Sequence, residues 1–426
     1  MSNKTTILAA LQIVNREVRL IVGEFSSDFL YVIAKEEIEC RGVDGYKIVD
    51  KNLVIKAIRE AVSNISAKLK VPLKSVLLSI PGYRFKKEKR QFDRLLTQGV
   101  VTKDDIKVIF DEAYRTNVGI DYEILNLSCA SYKINSIVYP KAPINEKSEL
   151  LSCGIDFICG DRLLMYEYLS IVEKTGLKVL DVYQDGYSSC GEAALFEQSY
   201  NNYVVNIYLE ADHTVFSLIY NGRLITGFTE NSGYNKLIKT IVDRYALNYK
   251  NALKILFRYA VVGQSEGEDR IIIRWVDKHK IVHSLTYKDV QETIFEENQN
   301  IIENFHLYCS EIIKQDNVTI VVSGQGAQLQ GLDKALSAKF QKPVRCYCPD
   351  ILGAREPKWA ATLGMFYQYK DVCSITAPMV DCVDIGTYRQ NLIPNVEKHD
   401  GNLADKFKSI TDKLFVDKVE WGVKYE

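Results

Sequence analysis

Short runs of β-branched and aromatic residues alternate along this chain with stretches in which apolar residues recur every three or four positions. The runs predict strands at 6–14, 17–25, 28–39, 75–80, 149–160, 178–184, 203–209, 214–220, 223–229 and 318–322. The helical spacing predicts helices at 52–70, 103–117, 161–175, 187–198, 235–247, 249–258, 287–315, 331–340 and 357–369. Thr102 and Asp105 precede the second helix at the spacing of a capping box. Residues 203–229 read as an antiparallel meander with a hairpin turn at Tyr220-Asn221-Gly222-Arg223, and residues 7–33 carry the same pattern. Two similar three-strand units, each followed by helices, predict a duplicated α/β architecture.

Composition narrows the function classes. The 426 residues are enough for more than one domain, and the 47% hydrophobic and 26% charged shares are those of a soluble globular protein. A formal charge of -1 argues against a broad nucleic-acid surface, so no nucleic-acid partner is expected. The ten cysteines are scattered, and Cys346-x-Cys348 lacks zinc or redox spacing. They read as reduced, mostly buried thiols of a cytosolic protein. His213, His279, His283, His306 and His399 form no ligand cluster, and no metal site is predicted. No apolar run reaches the ~18 residues of a membrane span. Ile7–Leu11, with only Lys4 before it, is too short for a signal peptide.

The chemistry-bearing stretch is Val321-Val322-Ser323-Gly324-Gln325-Gly326, a β-branched strand entering a glycine turn, with a helix predicted to start near Leu332. Gly324, Gln325 and Gly326 fit two readings: a nucleotide shelf, which glycine allows by close backbone approach, or a plain strand-to-helix turn. Pro343-Val344-Arg345, Pro349 and Trp359-Ala360-Ala361-Thr362-Leu363-Gly364-Met365 follow. This series resembles the C-terminal part of the bacterial actin-like division protein FtsA, with its adenosine loop, Pro-Val-Arg strand and Ala-x-x-x-Gly helix. Further blocks match the family in order: Ala10-Leu11-Gln12-Ile13, Arg41-Gly42-Val43, Leu77-Leu78-Ser79-Ile80-Pro81-Gly82 and Gly99-Val100-Val101-Thr102. The resemblance spans about residues 7 to 370.

The resemblance implies the sugar-kinase/actin superfold, two α/β lobes around a cleft, with an FtsA-type inserted subdomain. It divides the chain into a first lobe of 1–82 plus 164–198, the insert at 83–163, and a second lobe of 199–230 plus 303–370. A small subdomain at 231–302, a linker at 371–402 and a C-terminal helix at 403–426 complete the division. It also implies Mg-ATP held by two glycine-rich turns, each opened by an Asp that works on the metal or its waters. This chain departs there. The first turn carries Gln12, Ile13, Val14 and Asn15 where the family has Asp-Ile-Gly-Thr. The second, Asn206-Ile207-Tyr208-Leu209-Glu210-Ala211-Asp212, keeps no glycine, and its carboxylates would repel phosphate. Gln12 and Asn15 are thus residues of a degenerate phosphate loop, and the chain reads as a pseudo-ATPase without enzymatic activity. No cofactor is expected from the residues, whereas ATP and Mg are what the resemblance alone would supply.

Asp181, Asp185 and Glu192 read as solvated charges or helix-start residues. Lys86-Lys87-Glu88-Lys89-Arg90 reads as a solvated loop. In the tail, Leu403, Phe407, Ile410 and Leu414 fall on one helical stripe flanked by Lys406, Lys408, Lys413 and Lys418. Apolar side chains edged by lysines suit an anionic membrane interface. A helix packed on the protein body is the other reading, because Asp405, Asp412 and Asp417 offset the lysines. FtsA-type proteins end in such a helix, which implies a peripheral position on the inner face of the cytoplasmic membrane at the division site. The resemblance further implies partners: the C-terminal peptide of the tubulin-like protein FtsZ at 231–302, membrane lipids, later division proteins and self-association into filaments. The alternatives are an active actin-like ATPase of another system, such as pilus assembly, and a cytosolic scaffold with no membrane role.

Overall fold

The computed structural model describes residues 5–26, 29–139, 141–276, 280, 282–375 and 377–392. They fall into two units, 1–385 and 386–426. In the first unit, β1 (Thr5–Val14), β2 (Glu17–Ser26) and β3 (Phe29–Glu39) form a meander. A two-residue-strand hairpin, β4 (Val43–Asp44) and β5 (Lys47–Ile48), leads to α1 (Lys51–Leu69) and β6 (Ser75–Ile80). The carboxylate of Asp50 caps α1 by accepting from Asn52 N (2.9 Å) and Leu53 N (3.1 Å). Val54, Ala57, Ile58, Ala61 and Ile65 put a buried stripe of α1 on the sheet.

Next comes a sheet with its own core, built from β7 (Lys86–Leu95), α2 (Lys103–Tyr114), β8 (Tyr122–Ile134), β9 (Ile137–Tyr139) and β10 (Leu150–Asp161). Its order is β7-β10-β8-β9. Ile106, Ile109 and Phe110 of α2 join Cys153, Ile155 and Phe157 of β10 in that core. The Thr102–Asp105 capping box forms as expected. The basic run is not a loop. Lys86–Arg90 opens the edge strand β7, where ion pairs use its charges: Lys87 meets the buried Asp156 at 3.1 Å, and Arg90 meets Glu88 at 2.9 Å.

The chain returns through α3 (Arg162–Glu173) and β11 (Lys178–Gln184), completing a five-stranded sheet of order β11-β6-β1-β2-β3. Helices α4 (Asp185–Glu192) and α5 (Leu195–Gln198) lead to the second lobe. There β12 (Tyr203–Leu209), β13 (Thr214–Tyr220) and β14 (Arg223–Glu230) form the second meander. A smaller helical part follows, with α6 (Asn235–Tyr245), α7 (Tyr249–Tyr259), the hairpin β15 (Ile271–Val276) and β16 (Val282–Thr286), and α8 (Tyr287–Cys309). The lobe closes with β17 (Val318–Ser323), α9 (Leu332–Phe340) and β18 (Val344–Cys346), giving the order β14-β13-β12-β17-β18. Read from the meander edge, the two sheets have the same order and sense: an antiparallel meander with two parallel strands added. The duplication predicted from the repeated pattern is therefore present.

Helix α10 (Ala360–Ile375) crosses α4 at backbone contact, since a Cβ on Gly364 would lie 1.8 Å from the Ser188 carbonyl oxygen. The expected linker at 371–402 is corrected over 371–392, while 393–402 lie outside the described residues. Residues up to 375 continue α10, and Asp381–Val383 dock on the first sheet. Ile7 N donates to Asp381 Oδ1 (2.7 Å), Cys382 N to Ile7 O (2.8 Å) and Lys74 N to Cys382 O (2.8 Å). Unpaired backbone groups of β1 and the segment before β6 explain the docking. Within the second unit the described part is the end of α11 (Ile385–Leu392). The stripe Leu403, Phe407, Ile410 and Leu414, with Lys406 and Lys413, lies outside the described residues. No described helix is long and apolar enough to cross a membrane.

Candidate functional site between the lobes

Two hairpin turns face each other across the cleft. The first, between β1 and β2, is a two-residue turn at Asn15 and Arg16, both left-handed (φ 53° and 60°). A β-hairpin this tight needs positive φ at both positions, which Asn tolerates and Arg resists. The Arg16 guanidinium stacks over the Tyr249 ring of α7 at 4.7 Å. The second turn is Glu210–His213, between β12 and β13. The third element is the loop Gly324–Gly326 after β17.

Gln12, Asn15, Gln325 and Glu210, four of the residues singled out by the sequence, converge with three others. Gln12 Nε2 donates to Tyr208 Oη (2.9 Å). Asn15 Nδ2 donates to the Glu210 carboxylate, with Gln325 Oε1 (2.8 Å) and Tyr234 Oη (3.1 Å) also in reach. Asn15 Oδ1 accepts from Ala211 N (2.9 Å), and Glu210 Oε1 accepts from Gln325 N (3.1 Å). Arg19 lies at the centre. Its Nη2 donates to Gln325 Oε1 (2.5 Å), its Nη1 to Lys358 O (3.3 Å), and its Nε to Glu17 (3.1 Å). Arg19 Nη1 stands 3.6 Å from Glu210 Oε1, and both side chains are 0% exposed.

The electrostatics follow from this burial. Desolvation alone would lower the Arg19 pKa, but Glu210 and Glu17 override it and raise the value above that of free arginine. Burial, with Glu210 as the second cause, holds the Tyr208 and Tyr234 phenols well above their ordinary range, so both stay neutral. Beside them His213 Nε2 contacts Asp185 Oδ2 at 2.7 Å. Burial pulls the His213 pKa down, and Asp185 more than reverses that pull.

The two glycines are packed by the protein itself. At Gly324 (φ +80°) a Cβ would come 2.8 Å from Leu209 O, and at Gly326 one would come 2.3 Å from Leu209 Cγ. Gly233 approaches the same turn, where a Cβ would sit 1.9 Å from Glu210 O.

Two residues missed in the sequence reading, Arg19 and Tyr234, carry much of this site, and beside them stands Asp185, which was read as a solvated charge or helix-start residue and does open α4. Arg19 was visible as a lone cation inside the apolar run Val18–Val22, where burial demands a partner. The solvated reading of the three carboxylates is corrected. Asp185 is buried and accepts from Gly82 N (3.1 Å) and Gly186 N (2.7 Å) as well as pairing with His213. Asp181 is held by Tyr183 Oη (2.7 Å), and burial pushes it up to about 6. Glu192 is pushed by burial up to about 8. Each has a different partner, and among the described residues no group of acidic, His or Cys side chains could hold a metal ion.

Two duplicated lobes, an interlobe turn triad and a subdomain inserted after the fourth main strand of the first lobe make an actin-like fold. Solved structures share that fold: the PilM–PilN type IV pilus biogenesis complex (TM-score 0.58, 10% identity, 84% of this chain and 96% of that one). MreB5 of Spiroplasma citri bound to AMPPNP is similar too (TM-score 0.51, 11% identity, 87% and 98%). By sequence, the chain is similar to the cell division protein FtsA, as the ordered motifs indicated. It is 22% identical to that of Staphylococcus epidermidis over 83% of this chain and 77% of the relative. It is 20% identical to that of Bacillus subtilis (85% and 83%) and 21% to that of Neisseria meningitidis (86% and 91%). No family model matches the chain.

Proposed function

We propose that this protein is an FtsA-like cell-division protein that attaches FtsZ polymers to the cytoplasmic membrane and works without hydrolysing ATP. The observation that carries the reading is the similarity to FtsA proteins of several bacteria over more than four-fifths of the chain. In this reading 231–302 receives the FtsZ C-terminal peptide. The C-terminal stripe of Leu403, Phe407, Ile410 and Leu414, edged by Lys406 and Lys413, enters the headgroup boundary. Self-association into filaments and recruitment of later division proteins belong to the same proposal.

A nucleotide does not fit the cleft residues as they stand. Magnesium needs oxygen ligands with free lone pairs, and phosphate needs free backbone donors. The Glu210 carboxylate already accepts from Asn15 and Gln325 N and faces Arg19, while Ala211 N is held by Asn15. Phosphates would meet a buried carboxylate in place of a glycine turn. The cleft therefore acts as a fixed joint between the lobes.

Three measurements test the reading. The full chain should retain an FtsZ C-terminal peptide in a pull-down. It should co-sediment with anionic liposomes, while a chain ending at Gly401 and the Phe407→Glu variant stay soluble. Calorimetry with Mg-ATP should show no heat of binding. Failure to hold the peptide defeats the division role, equal pelleting of both forms defeats the anchor, and micromolar ATP affinity defeats the fixed joint.

A further inference from the structure

The subdomain of β7–β10 and α2 enters and leaves through the first lobe, yet side chains of the second lobe hold it at three places. The first is its entry, Gly82. Gly82 O accepts from Thr229 Oγ1 of β14. A Cβ at Gly82 would lie 2.8 Å from Val215 Cγ2 of β13, and Val215 and Thr229 stand directly opposite each other on their two strands. The second is Phe85, packed so close on β14 that a Cβ at Gly227 would come 2.9 Å from its ring. The third is Asp156 of β10, 2% exposed, which accepts from Arg223 Nη2 of β14 (3.1 Å) and pairs with Lys87 (3.1 Å). Strands β7 and β14 are edges of their two sheets, and they approach without a backbone ladder between them. The attachment is made by a few side chains, so it can open without unzipping a sheet.

The entry is also tied to the cleft. Gly82 N donates to Asp185 Oδ1 (3.1 Å), and Asp185 Oδ2 meets His213 Nε2 (2.7 Å) on the turn between β12 and β13. Asp185 and His213 are 1% and 5% exposed. A buried carboxylate needs its counter-charge. Losing that of His213 leaves Asp185 desolvated and unpaired, and protonation or rotation of the carboxyl then weakens the acceptor that Gly82 uses. We infer that the inserted subdomain is a latched arm, held on the second lobe at Gly82, Phe85 and Asp156, with the His213–Asp185 pair as the catch that couples its release to the cleft. The latch does not depend on the division role. Such coupling is reciprocal, so a partner that pulls on the subdomain also loosens the turn Glu210–His213.

The catch carries a charge that titrates. Burial lowers the His213 pKa, but Asp185, with Glu210 and Asp212 of the same turn, raises it above 6.5 overall. The Tyr208 ring of β12 lies beside His213, and Tyr168 of α3 faces Asp185; burial holds both phenols well above their ordinary range. The pairing is therefore complete below pH 6.5 and fades as pH rises through the folded pKa, so the arm is freer in alkaline conditions.

The test is hydrogen exchange of the full chain read by mass spectrometry, corrected for intrinsic rates, from about pH 6 to 8.5. Thr229→Val removes the bond to Gly82 and nearly keeps the side-chain shape. Protection over Lys86–Leu95 and Leu150–Asp161 should fall at least about threefold, in keeping with one lost hydrogen bond. His213→Gln should do the same, although His213 lies outside the subdomain. Arg223→Gln should lower protection in the subdomain and, reciprocally, over Leu209–His213. In the wild type and in Thr229→Val, subdomain protection should decline as pH rises; in His213→Gln the decline should be absent. Asp50→Ala removes the cap of α1 and is the control for general softening, so it should leave the subdomain unchanged. An equal loss in Asp50→Ala and His213→Gln would overturn the inference. So would unchanged subdomain protection in Thr229→Val and His213→Gln, or the same pH profile with and without His213.

Discussion

Neutralising one partner of the Arg19–Glu210 pair tests whether the cleft is held by its own charges. At 3.6 Å and an effective dielectric near 20, the Coulomb energy of the pair is about 4–5 kcal/mol. Removing one member of a buried pair typically costs about 3–5 kcal/mol, because the other charge stays desolvated. Glu17, at 23% exposure, remains beside Arg19 at 3.1 Å and softens the loss. Glu210→Gln should therefore destabilise by ~3 kcal/mol, and Arg19→Met, which strands Glu210, by more. Replacing both by Met removes both desolvation penalties and should recover at least half of the larger single loss. Urea unfolding of the four proteins gives the cycle. Hydrogen exchange at Gln12–Arg19 and Leu209–Ala211 reports where the structure opens, and the single variants should lose protection in both turns together. Single losses below about 1 kcal/mol, or losses that simply add in the double variant, would refute the reasoning.

Gly364→Ala puts a methyl against the Ser188 carbonyl, so it should lower stability by about 1–3 kcal/mol or more, read from the thermal midpoint. Gly324→Ala is both overpacked and forced to φ +80°, and should cost ~2 kcal/mol in the same assay with or without Mg-ATP present. The His213 pKa is raised in the folded state, so its pairing with Asp185 stabilises fully below the unfolded value of 6.5. That contribution is lost as pH rises through the folded pKa. The stability difference between the wild type and His213→Gln should thus shrink above about pH 6.5, and a difference that grows with pH would contradict the pairing.

Most of the fold was legible because its strands are buried on both faces. In β1 and β12 nearly every side chain is buried, so the sequence shows continuous apolar runs that leave little room for another reading. Strand β7 escaped because its ten residues, Lys86–Leu95, form an exposed edge whose polar side chains mimic a loop. The hairpin β15–β16 escaped because its side chains are mostly half-buried or exposed, which blurs the alternation. At the cleft, the lost glycines were plain in the sequence, but the replacement chemistry was not. Asn15 and Glu210 lie 195 positions apart, and only the folded pairing shows that one answers the other. Two of the three carboxylates misread as solvated, Asp181 and Asp185, sit where β11 runs into α4, and charge at a helix start is usually exposed.

A cleft closed by a soluble ligand is occupied in proportion to that ligand's concentration, and its closure falls when the ligand is scarce. Here the closing groups are Arg19, Asn15, Glu210 and Gln325, all carried by the same chain. Their effective concentration is set by covalent connectivity and cannot be diluted or depleted. On the proposed reading, in which no nucleotide enters, the angle between the lobes is uncoupled from the energy charge of the cell, and a starved cell and a growing one would contain the same conformer.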